Sequence, residues 1–224
     1  MQLEANKIVH LFYQTPGEDK LFLSDENYIH LLKLYAAWLT PVADTYAYCL
    51  LPKQIHFLVQ IKSEKELFNF LKMNGKFPDE TMRFEEIKNL QLIPENPLGT
   101  IFSMHLTKHI AAFLNEYLVE NKQVQLKGGG FASRNFKKFE ITTDEQLLAA
   151  IINIHQKPMV LGEIANFEQW KYSSYAAILS DKPSALKREK VLDLFGSREK
   201  YIQAHQNSIA TISPLELHEK LNLN

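Results

Sequence analysis

Cysteine is nearly absent from this chain. Of 224 residues only Cys49 carries a thiol, so no disulfide can close within the chain and a cysteine-rich metal site is excluded. Glycine and proline are sparse, at 8 and 9 residues, which rules out collagen-like and low-complexity architectures. Long hydrophobic runs are missing too. The longest candidate, LLKLYAAWL, is interrupted by Lys33 and falls short of the roughly 18 residues that span a bilayer. The first ten residues, MQLEANKIVH, lack the basic-then-apolar order of a secretory signal, and the expected compartment is the cytoplasm. A surplus of one charge sign is also lacking, since 25 basic against 26 acidic residues leave a formal charge of −1. Any polyanion partner would therefore have to be held by a local patch. What is present is an ordinary globular composition, 46% hydrophobic and long enough to bury a full core.

The order of elements follows from periodicity. Asn6 to Tyr13 is β-branched and aromatic and ends at the turn signal Thr15-Pro16-Gly17. Ser24, with Asp25, Glu26 and Asn27 behind it, caps a helix to about Thr40 whose apolar positions Tyr28, Leu31, Leu32, Tyr35 and Leu39 recur at helical spacing. Thr45 to Leu51 and Ile55 to Ile61 read as a hairpin joined at Pro52-Lys53-Gln54, with Gln54, His56, Leu58 and Gln60 on one face. Residues 62–98 are polar and read as an excursion with one short helix at Glu64 to Lys72. A long amphipathic helix follows from Leu98 to about Glu120, then a loop at Gly128-Gly129-Gly130. Phe136 to Ile141 is the fourth strand. Thr143 and Gln146 form a capping-box pattern ahead of a helix expected to run to Pro158, with Leu147, Leu148, Ile151, Ile152 and His155 on its stripe. The order strand, helix, strand, strand, helix, strand predicts an α+β, ferredoxin-like split βαβ antiparallel sheet, with helices on one face and a helical C-terminal extension. The domain expectation is 1–180 for the sheet domain and 181–224 for the extension.

The residues that carry a resemblance lie within these elements. Tyr46 to Val59 (YAYCLLPKQIHFLV) resembles the YAYCLMPNHVHLLV segment of single-tyrosine HUH transposases, in particular the REP-associated tyrosine transposase group. Asn153 to Pro158 (NIHQKP) is similar to that family's YIHxNP helix, and Trp170 to Tyr175 (WKYSSY) to its WxxSSY signature. Gly130-Phe131 with Arg134, Phe136 and Lys137 resembles its GSLFQxRFK strand entry, and Lys187 to His205 resembles extensions of some members. The matches run in order from about Asn6 to His205, with 62–98 unmatched.

The resemblance implies a chemistry. Two dyad histidines would hold a divalent metal against a DNA phosphate, and a helix-borne tyrosine would attack the phosphorus to form a 5′-phosphotyrosine link. In this sequence the first dyad position is Gln54, the second is His56, and the nucleophile position is Asn153. An amide cannot act as a nucleophile that attacks and then leaves. The expectation is therefore a DNA-binding protein of transposase descent without strand-cleaving activity. An altered but active single-strand endonuclease and a domesticated protein-interaction module are the alternatives. No cofactor is expected; Mg²⁺ or Mn²⁺ would bind weakly at most, because neutral oxygen donors without carboxylates hold hard cations poorly. The implied partners are single-stranded or hairpin DNA, with a homodimer allowed. DNA contacts are expected from Lys127, Arg134, Lys137 and Lys138, a basic stretch without acids and interleaved with Phe131 and Phe136. His105 and His109, four apart, have a zinc-capable spacing but no accompanying motif and read as a solvated helix flank. His155, Tyr172 and Tyr175 read as packing residues. Asn153 is expected to lie opposite the Gln54/His56 face.

Overall fold

Alternation explains the centre of the molecule. In the computed structural model, which describes residues 3–15, 20–73 and 136–208, four strands form one sheet. They are β1 (Ile8–Gln14), β2 (Ala43–Leu51), β3 (Gln54–Ile61) and β4 (Phe136–Ile141), in the order β2-β3-β1-β4 with every pairing antiparallel. That is the expected split βαβ order. The register sets Cys49 beside His56, His56 beside Phe12, and Phe12 beside Lys137, one row across all four strands.

Both alternate sets of side chains are covered, so the strands are apolar nearly throughout. Val9, Leu11 and Tyr13 of β1 and Ile55, Phe57, Val59 and Ile61 of β3 pack with Tyr28, Leu31 and Tyr35 of α1 (Asp25–Trp38) and Leu67, Phe68 and Leu71 of α2 (Glu64–Met73). On the opposite face, Ala47, Cys49, Leu51 and Leu58 pack with Leu147, Ala150, Ile151 and Ile154 of α3 (Asp144–Val160). Fully burying one such Leu, Ile or Phe is worth about 1.5 to 3 kcal/mol, so each face contributes a substantial core. The helices are thus distributed over both faces and not confined to one. The physical reason is the near-continuous burial of β1 and β3, which leaves no face to water.

Local chemistry accounts for the helix ends. Asn27 Oδ1 accepts from the backbone N–H of Leu23 at 2.9 Å and of Ser24 at 3.3 Å, with Asp25 and Glu26 in the first turn of α1. Thr143 Oγ1 accepts from Gln146 N at 3.2 Å, and Gln146 Oε1 reaches back to Thr142 N at 2.8 Å. Removing that cap in Thr143→Ala is expected to cost about 1 kcal/mol, read as a lower urea midpoint at unchanged m-value. The helix continues two residues past Pro158, to Val160, and Leu161 N closes it on Lys157 O at 2.9 Å. Its buried stripe is also rotated from expectation. Leu148 and Ile152 are half-buried, while Ala150, Asn153, Ile154 and Lys157 are buried.

The chain after α3 seals the outer edge of β2. Leu50 N donates to Tyr172 O at 2.9 Å, Ser174 N to Tyr48 O at 3.0 Å, and Tyr48 N to Ser174 Oγ at 2.8 Å. Farther on, Lys187 N donates to Thr45 O at 2.9 Å. Trp170 Nε1 donates to Leu50 O at 2.8 Å, and Tyr172 stacks on Tyr28 with ring centres 3.8 Å apart. Three short helices complete the fold: α4 (Tyr175–Leu179), α5 (Arg188–Phe195) and α6 (Arg198–Asn207). Gly196, at φ +87°, ends α5 in the left-handed conformation that glycine adopts without strain. Val191 and Tyr201 join the core beneath α3. The expected helix at 98–120 with His105 and His109, the glycine loop, Lys127 and Arg134 lie outside the described residues.

Candidate functional site

The period of two places Gln54, His56 and Leu58 on the sheet face covered by α3, together with Ile8, His10 and Phe12 from β1. His56 is fully buried, and its ring lies 5.3 Å from His10 and 4.9 Å from Phe12, centre to centre. Its two nitrogens are both engaged. Gln54 Oε1 lies 3.0 Å from His56 Nε2 and can only accept, so Nε2 carries the hydrogen. His56 Nδ1 is then bare and accepts from His10 Nε2 at 3.1 Å.

The electrostatics agree with two neutral rings. Burial, and secondarily the nearby Lys157 ammonium, push His10 down to about 3. Burial, then His10 and Lys157, hold His56 well below the ordinary imidazole range. Cys49, the cross-strand neighbour of His56, is pushed up by burial and is a packed thiol. Lys157 is itself buried on α3, one turn beyond Asn153. Asn153 is buried on the same helix, in line with Ala150 and Lys157 at spacings of three and four.

A divalent metal does not fit this donor set. His56 Nε2 carries its hydrogen and Nδ1 already accepts from His10, Gln54 supplies only an amide, and Lys157 adds positive charge beside the rings. Among the described residues no three His, Cys, Asp or Glu side chains are grouped to hold a metal ion.

Of the residues expected to touch DNA, Lys137 and Lys138 are described. Lys137 is exposed and shares the His56 row, two strand spacings away, or roughly 10 Å. Lys138 is half-buried and in register with Leu11, on the face covered by α1. The two side chains thus leave opposite faces of β4.

A second polar centre lies behind α3. His205 Nδ1 is 2.8 Å from Tyr201 O, a carbonyl, so Nδ1 is protonated and Nε2 accepts from His155 Nδ1 at 2.9 Å. His155 Nε2 is left to accept from Ser174 Oγ at 2.7 Å. Tyr175 is buried against Phe167 and His155, and its phenol is pushed up to about 12 by burial, with Glu168 adding to the shift. Tyr172 is raised as well, mainly by burial. Sequence reasoning missed His10, Lys157 and His205. His10 alternates with Phe12 on β1, but only the strand register shows that it meets His56. Lys157 follows Asn153 by four, a spacing that was available as a signal.

No protein-family profile matches the chain, and no curated protein matches it significantly in sequence. Among solved structures it is similar to a chain described as a REP-associated tyrosine transposase bound to a REP hairpin. The identity is 9% and the TM-score 0.45, over 82% of this chain and 86% of that chain.

Proposed function

We propose that the chain is a cytoplasmic DNA-binding protein of transposase descent that does not cleave or join DNA strands. The observation that carries this reading is the state of the three positions to which the resemblance assigns chemistry. Gln54 closes a hydrogen bond onto the one remaining dyad histidine, and the nucleophile position is a buried amide. An active enzyme using Tyr172 or Tyr175 is disfavoured, because both rings are buried in aromatic stacks and both phenols are shifted away from ionisation.

Binding and chemistry use different side chains, so loss of the second leaves the first intact. Lys137, exposed on the same sheet face as His56, is assigned to DNA backbone contact. Titration of a DNA hairpin at several salt concentrations tests this. Lys137→Ala is expected to flatten the log–log salt slope by roughly 0.7 to 0.9, whereas Lys138→Ala leaves it unchanged. Absence of salt-dependent binding by the wild-type protein at low ionic strength would overturn the DNA-binding reading and favour a protein-interaction role.

A further inference from the structure

The dyad face uses few of the cations in the described structure; a concentration of them lies at the opposite edge of the sheet. A groove of about 620 Å³ opens between the segment before α5 and the start of α6, within the range of small-ligand sites. Its walls carry Lys187, Arg188, Lys190 and Arg198 against only two acids, Asp181 and Glu189.

These cations differ in how far their charge is already answered. Lys187 Nζ lies 3.1 Å from Asp44. Arg198 Nη2 lies 2.9 Å from Asp181 Oδ1, but the Asp181 side chain is 91% exposed, and an ion pair so hydrated contributes little and opens readily. Arg188 is fixed without a carboxylate: Nη1 donates to Ser180 O at 2.6 Å and Nη2 to Lys182 O. Neutral carbonyls orient the guanidinium and leave its charge available. Lys190 is exposed on the groove wall. Arg188 and Arg198 are also the first residues of α5 and α6. A cation at the positive end of a helix opposes the dipole, so helix stability gives no reason for arginine at either place, whereas an anion bound between them would.

We propose that this groove is a second phosphodiester-binding site, gripping the backbone of the same DNA through Arg188, Lys190 and Arg198. The inference rests on the DNA-binding reading above. The segment holding the groove is pinned to the free side of β2 through Lys187 N to Thr45 O, and Lys137 lies on β4 at the far side of the sheet. Three strand spacings separate the two strands, roughly 14 Å, so DNA engaging both patches spans the width of the sheet.

The test is salt-dependent titration of a DNA hairpin with the full chain, joined to amide chemical-shift mapping. Lys190→Ala with Arg198→Ala is expected to flatten the log–log slope by roughly 0.7 to 0.9 for each phosphate that no longer meets a cation, with the melting temperature nearly unchanged. Glu189→Gln is expected to tighten binding at low salt, an effect that misfolding cannot imitate. Shift changes on DNA addition are expected at residues 180–190 and 198–200. If the wild type binds no DNA, the reading of function falls and this site with it. If the wild type binds but the double variant keeps its slope, and residues 180–200 do not shift, the groove assignment alone fails. If inorganic phosphate shifts the same amides as strongly at equal phosphate concentration, the groove is a general anion site and the DNA assignment is overturned.

Discussion

Incubated with single-stranded or hairpin DNA in Mg²⁺ or Mn²⁺, the wild-type chain is expected to leave no denaturation-resistant protein–DNA adduct. Asn153 has no ionisable oxygen. The nearest substitutes are closed off: Tyr172 lies face to face with Tyr28, and Tyr175, pushed up to about 12, is roughly one part in 10⁴ to 10⁵ phenolate near neutral pH. Neither single reversion supplies both halves of the chemistry. Gln54→His removes the amide oxygen that occupies His56 Nε2, and Asn153→Tyr returns a phenol to α3. An adduct is expected from the double variant and from neither single one, visible as a band shift that survives denaturing electrophoresis. Because Asn153 is buried, the new ring should also lower stability by about 1 to 3 kcal/mol, read in the same samples by urea melting. An adduct from the unmodified chain, mapped to Tyr172 or Tyr175, would overturn the degenerate reading.

The second large effect is acid lability of the buried histidines, to which His155 and His205 contribute alongside His10 and His56. Burial holds the His155 and His205 rings below the ordinary imidazole range, His205 at about 4 and His155 well below its usual value, with His205 contributing to the shift of His155. Glu168 and the Tyr201 carbonyl favour the charged form of His205 but do not outweigh burial. In the unfolded chain both titrate near 6.5. Below that pH the unfolded state binds more protons than the folded one, so stability falls as pH falls, from about 6.5 down toward 4. The hydrogen-bond chain accommodates one added proton by reversing direction, His205 Nε2 donating to His155 Nδ1 and His155 Nε2 to Ser174 Oγ, whose own hydrogen turns to Tyr48 O, so the cost lies in burying the charge. A buried ring held at about 4 is expected to cost up to about 1.4 kcal/mol per pH unit, roughly 2 kcal/mol between pH 6.5 and 4.5. Set against a typical total of about 5 to 15 kcal/mol, that is a large share. Urea midpoints across this range should show the slope, and His205→Asn should flatten it. An equally steep profile in that variant would mean that the pair is not responsible.

Much of the fold was legible because strand periodicity and caps are local signals. Phe136–Ile141 is the expected fourth strand, and the Thr143 cap opens the expected helix. What the sequence hid was the pairing of distant residues. His10 is an ordinary strand residue until the register sets its ring beside His56, 46 positions on, and His205 meets His155 across 50. Apolar counting also misplaced the buried side of α3. Its polar residues Asn153, Gln156 and Lys157 are buried, while Leu148 and Ile152 are only partly covered. Helical phase alone could not choose between the two sides once polar groups had buried partners. The distribution of helices over both faces was obscured in the same way, since His56 and Gln54 gave one face of β3 a polar look although it is covered.

The sealing of β2 by residues 172–174 and 187 also bears on how the protein is made. Residues 43–51 leave the ribosome roughly 120 residues before the segment that pairs with their outer edge. At synthesis rates of about 5 to 20 residues per second, the nascent chain carries an open strand edge for roughly 6 to 24 s. During that interval the apolar run TYAYCLL can template pairing with another chain, before residues 172–174 and 187 cover it. The Trp170 to Tyr175 motif thus sets the moment in synthesis at which the sheet becomes protected.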